Sequence, residues 1–77
     1  MVKVTKVGKN QISQDPDGQW IIEVFAENDI HTNKPLYSVW ESTKSKKLAT
    51  KYAKMLTTRT GYGRLHDKFI KENEELN

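Results

Sequence analysis

Residues 18–29 read GQWIIEVFAEND, and their alternation decides what kind of layer the chain builds. Successive side chains of an extended chain point to opposite sides, so Trp20, Ile22, Val24 and Ala26 share one side and Gln19, Ile21, Glu23, Phe25 and Glu27 the other. This predicts a strand from Gln19 to about Glu27. Neither side is purely polar. The first calls for a packed helix. The second, with Ile21 and Phe25 around Glu23, calls for its own cover: the C-terminal segment, a second copy of the chain or another protein.

Upstream, Asp15-Pro16-Asp17-Gly18 has the residue order of a type I turn, with Asp accepting backbone bonds, Pro setting φ and Gly closing. The two aspartates lack the ligand spacing of a calcium loop. Before them VKVTKV, residues 2–7, alternates over Val2 and Val4 and shifts to Val7, the pattern of a short first strand. Downstream, NDIHTNKP is rich in turn formers and leads into LYSVWE, a third strand from Leu36 to about Glu41, paired antiparallel with the second.

The helix signal follows at once. Ser42, Thr43 or Ser45 supplies an N-cap, and Leu48, Ala49, Tyr52, Ala53 and Leu56 recur on one helical face. Lys44, Lys47, Lys51 and Lys54 fall on the opposite face within an arc of about 80°. Gly61 and Gly63 around Tyr62 read as the helix stop, with Arg59 and Arg64 near its negative end. RLHDKFIKENEEL then gives a shorter helix whose apolar edge is Leu65, Phe69, Ile70 and Leu76. The expected fold is a single α+β domain over residues 1–77. It has a three-stranded antiparallel sheet within 2–41, one amphipathic helix over 43–60 packed on it, and a short C-terminal helix over 64–75.

Composition narrows the function. A chain of 77 residues buries only about 60% of its unfolded surface, too little for a deep catalytic cleft. It has no cysteine, hence no disulfide or thiolate metal site, and nothing resembling a signal peptide or membrane span, which reads as cytoplasmic. His31 falls in a loop and His66 in the terminal helix; both read as solvent-exposed and neither belongs to a catalytic or metal-ligating constellation. The glycines of GYGR follow a helix, whereas phosphate-cradling glycines follow a strand. A non-enzymatic protein without cofactor or metal is expected.

The net charge of +3 is unevenly spread: −1 over residues 1–40, +6 over 41–66 and −2 over 67–77. A lysine-rich helix face is also what solubility alone produces. A merely solvated face usually mixes signs, though, and from Lys44 to Arg64 there is no acidic residue. Uniform sign suits a phosphate backbone or an acidic protein surface.

The stretch over roughly residues 15–57 resembles the arm-type DNA-binding domain of phage and transposon tyrosine recombinases. It carries that family's "dG-W" strand at Asp17-Gly18-Gln19-Trp20, and Thr43, Lys44, Ala49 and Ala53 match its "T-K-x-x-A-x-x-x-A" helix in residue type, with two more residues between Lys44 and Ala49 than that pattern has. The resemblance implies a three-strand-plus-helix module that inserts its exposed sheet face into the major groove. Here that face would carry Glu23 and Glu27, which phosphates repel, so the helix stripe is the expected contact surface. No recombinase catalytic domain follows, so the module is expected to stand alone, as small phage proteins do. The expected partner is nucleic acid or an acidic host protein, met by Lys44, Lys47, Lys51, Lys54, Arg59 and Arg64. The alternatives are a small phage-type inhibitor docking through the stripe or through Ile21, Phe25 and Tyr62, and a structural homodimer formed through the sheet.

Overall fold

The strand centred on Ile22 is the third of four. A computed structural model describes residues 3–56 and 62–76, with β1 (Lys3–Val7), β2 (Asn10–Gln14), β3 (Trp20–Asn28) and β4 (Pro35–Thr43) followed by α1 (Lys46–Met55) and α2 (Tyr62–Glu75). The strands form one antiparallel sheet in sequence order. The α+β class thus stands, but with four strands rather than three. The additional one is NQISQ at residues 10–14, whose single apolar residue, Ile12, offers no alternation to read. Gly8 makes it possible. Its φ of 64°, followed by an ordinary negative φ at Lys9, is the geometry of a two-residue hairpin turn with glycine first. Val7 thereby pairs with Asn10 and Thr5 with Ile12.

Asp15-Pro16-Asp17-Gly18 forms the next turn. The Gly18 N–H bonds Asp15 O at 3.0 Å, and Asp15 Oδ1 accepts from the N–H groups of Asp17 and Gln19. The β3–β4 loop is tied just as closely. Asp29 Oδ1 accepts from the backbone of His31 and Thr32, holding the carboxyl below its usual range, and Asn33 takes a φ of 57°.

The core lies between the sheet and α1. Val7, Ile12, Ile22 and Val24 from the strands meet Leu48, Ala49, Tyr52, Ala53 and Leu56 from the helix side, all buried. Ser45 is the N-cap, its Oγ accepting from Leu48 N at 3.1 Å. Thr43 ends β4 instead, so α1 starts at Lys46 rather than at residue 43; of its expected extension to residue 60, residues 57–60 lie outside the described ones. Asn10 closes the other end of α1. Buried in β2, it donates to the carbonyls of Ala53 and Leu56 at 2.8 Å each and accepts from Phe25 N at 3.0 Å. It caps the last turn from the sheet, satisfying groups a helix end leaves orphaned.

α2 begins two residues earlier than expected, and Gly63 is its second residue rather than part of a helix stop. α2 does not cover the Ile21 and Phe25 side. Its Phe69, 1% exposed, packs edge-on to Tyr52 and Trp40 at centroid distances of 5.1 Å, which places α2 beside α1 on the Trp20, Ile22, Val24 side. Ile70 and Leu76 stay exposed. Among the described residues the fold has two layers, and its thinnest dimension is 15 Å.

Candidate functional site

α2 docks through a bulge in β4. Ile22 pairs with Glu41 and Glu23 with Val39, skipping Trp40. Neighbouring strand residues ordinarily point to opposite sides, and a bulge re-aims one of them. Here Trp40 and Glu41 both reach the helices. Trp40 stacks on Tyr52 at 6.0 Å and meets the edge of His66 at 5.5 Å, while His66 Nε2 bonds Glu41 Oε2 at 2.6 Å. His66 thus remains partly exposed, as expected from its place in a polar helix, with 40% of its side chain open to solvent, but it also has a bonded partner and a ring contact that the sequence did not announce. His31 is exposed. A third tie runs from Thr43 Oγ1 to Asn73 Oδ1 at 2.7 Å.

The opposite flank of α2 meets the lysines of α1. Lys51 Nζ lies 3.1 and 3.2 Å from the two carboxylate oxygens of Glu72, and the Tyr52 hydroxyl donates to Glu72 Oε1 at 3.0 Å. Hydrogen bonds from Lys51 and Tyr52, with the charges of Lys51 and Lys68 behind them, hold the Glu72 carboxyl below its ordinary range. Burial and the same carboxylate push the Tyr52 hydroxyl up to about 12. Glu72 is thus one negative charge between two lysines.

The expected basic residues are partly regrouped. Lys47 and Lys54 are exposed on α1 and have no acidic partner among the described residues. Lys51 is ion-paired. Lys44 is exposed but precedes the Ser45 cap, so it flanks the helical stripe instead of belonging to it. Arg64 is exposed in the first turn of α2; Arg59 lies outside the described residues. Ile21 and Phe25 are half-buried on the far side of the sheet, and Tyr62 opens α2 with its side chain undescribed.

Two basic residues went unread. Lys46 lies over the Trp20 ring at 5.3 Å, and Lys68 follows Arg64 by four residues on the flank of α2 that holds Glu72. The acidic tail around Lys68 cancels it in any regional charge sum, which hides the signal that helical spacing carries. Lys46 and Lys47 also crowd the first turn of α1, which has no acidic residue. That is the positive end of the helix dipole, where cations are disfavoured and anions favoured.

Comparison with protein-family models, curated proteins and solved structures finds no match for this chain. Site geometry therefore carries the functional argument. Among the described residues, no helix is long and apolar enough to cross a membrane.

Proposed function

We propose that this chain is a non-enzymatic module, of the kind phages and mobile elements carry, that binds nucleic acid by its phosphate backbone through the outer surface of α1. Lys44, Lys46, Lys47 and Lys54 provide the contacts, with Lys51 and Lys68 on either side of Glu72. The observation that carries this reading is the set of lysines at the positive end of α1 that lack an acidic partner among the described residues. Such an arrangement repels itself, and a polyanion relieves it.

The reading is of backbone contact without base reading. Trp40, Tyr52 and Phe69 pack among themselves between the helices and the sheet, Trp20 lies under Lys46, and lysine acts as a point charge with little base specificity. Duplexes, with the higher charge density, should bind more tightly than single strands. The likeness to recombinase arm-type modules supports the same class with a different docking surface, because Glu23 lies in the middle of the outer sheet face.

The test is binding of the whole chain to single- and double-stranded DNA and RNA of one length over a salt series. Four phosphate contacts predict a log–log slope of about −3.6 on duplex, so affinity falls on the order of a hundredfold between about 50 and 200 mM salt. The Lys47→Glu, Lys54→Glu variant should lose most of that affinity and flatten the slope. Absence of binding at low salt would return the lysines to a solubility role and favour an acidic protein partner.

A further inference from the structure

The outer sheet face, the side away from both helices, has an order that the strand register makes visible. Val4 pairs with Ser13 and Ser13 with Ile21, so one row across the first three strands reads Val4, Ser13, Ile21, with Ser42 of β4 beyond it. The next row reads Lys6, Gln11, Glu23, and Val39 of β4 continues it at the sheet edge. In both rows β2 contributes a polar, uncharged residue. On either side of β2, apolar stands across from apolar and positive across from negative.

We propose that this face is a self-association surface on which two copies of the chain pack sheet to sheet about a two-fold axis running along β2. A two-fold interface must be self-complementary, each patch meeting its own copy. An axis along β2 exchanges the positions of β1 and β3. Val4 of each chain then lies on Ile21 of the other, Lys6 lies on Glu23, and Ser13 and Gln11 meet their own copies at the axis. The strands of the two sheets run nearly aligned, the common geometry of packed sheets.

The groups concerned are available for exchange. Val4 is 54% exposed although apolar. Glu23 takes its two bonds, from Gln11 and Ser13, on Oε1 alone, and Oε2 takes none among the described residues. Lys6 is exposed and crosses its own face to the Tyr37 hydroxyl, with its ammonium 4.5 Å from that ring's centroid; in the dimer it trades this contact for the partner's carboxylate. The overlap spans three strands spaced about 4.8 Å apart. This lies at the small end of specific interfaces, so the dimer is concentration-dependent. It keeps both helix layers outermost and presents two α1 surfaces facing away from each other. The association does not depend on nucleic-acid binding.

Sedimentation equilibrium of the full chain from about 10 μM to about 1 mM tests this. The wild-type mass should move from one chain toward two. Lys6→Glu and Glu23→Lys should each weaken association at least about tenfold by placing like charges together. An equimolar mixture of these two variants should regain it, because one then carries only negative and the other only positive charge at the paired positions. A wild type that stays monomeric throughout, single variants that associate like wild type, or a mixture of folded variants that stays monomeric would each overturn the proposal. Val4→Asp decides if a charge variant fails to fold: loss of the dimer is expected, and an unchanged dimer overturns the proposal. The Lys47→Glu, Lys54→Glu variant should dimerise like wild type, which separates this surface from the one on α1.

Discussion

The two broad surfaces of this thin molecule use charge in opposite ways. On α1, Lys46, Lys47 and Lys54 are all of one sign, and the carboxylate that pairs with an α1 lysine among the described residues, Glu72, comes from another helix and is taken up by Lys51. On the outer sheet face Lys6 and Glu23 stand two strands apart in one row, with Gln11 between them. Unbalanced charge leaves a surface in want of a polyanion, whereas balanced charge in a regular row leaves one that fits its own copy. The sheet face is not the more apolar of the two by accident of composition. The strand period of two puts Ile21 and Phe25 there, while the helical period sends every apolar residue of the α1 pattern into the core.

The comparison breaks most drastically if the helix layer is loosened. Phe69→Ala should cost about 3–5 kcal/mol by emptying the space between Trp40 and Tyr52, close to the whole stability expected of a domain this small, and urea denaturation measures it. Asn10→Ala follows, at about 2–3 kcal/mol, since it orphans the Ala53 and Leu56 carbonyls and the Phe25 N–H. The same titration, with near-ultraviolet dichroism as a second probe, checks whether both layers fail together. Lys47→Glu, Lys54→Glu should shift stability by no more than about 0.5 kcal/mol while lowering duplex affinity at least about tenfold, which sharpens the contrast by touching one surface alone.

The smallest effects are in pH. The Glu72 carboxyl is lowered in the folded state, so its contribution is present above its unfolded value of 4.5 and is lost as pH falls through the lower folded value. Glu72→Gln should flatten the acid limb of the thermal melting profile. Tyr52 is shifted the other way: raised from 10.0 to about 12, it stabilises the fold below pH 10 and loses that contribution as pH climbs toward 12. Tyr52→Phe should remove this alkaline loss, read as melting temperature against pH.

Much of the core was legible because it depends on period. The apolar positions of β3 and α1, Ile22, Val24, Leu48, Ala49, Tyr52 and Ala53, are buried as the alternation and the helical spacing require. β2 was not legible, since its burial comes from Ile12 and from two polar residues, Asn10 and Ser13, that are buried only because they are bonded. Nor was the position of α2, which depends on a β4 bulge at Trp40 and on bonds from Glu41 and Thr43 that no spacing announces. In the candidate site, Lys47 and Lys54 stand where helical geometry puts them. Lys51 does not stand free, because its partner lies 21 residues away on a separate helix.

Local chemistry by itself determined the α+β class, the Asp15 turn, a hydroxyl cap among Ser42, Thr43 and Ser45 at the start of α1 and the sign of the charge on its outer side, because each depends on neighbours within a few positions along the chain. Only the tertiary structure decided that there are four strands, that both helices share one side of them, and that Val4 and Lys6 align across the sheet with Ile21 and Glu23. Those outcomes depend on register and on bonds between distant segments. A single bulge or glycine turn resets them without altering the pattern on either side.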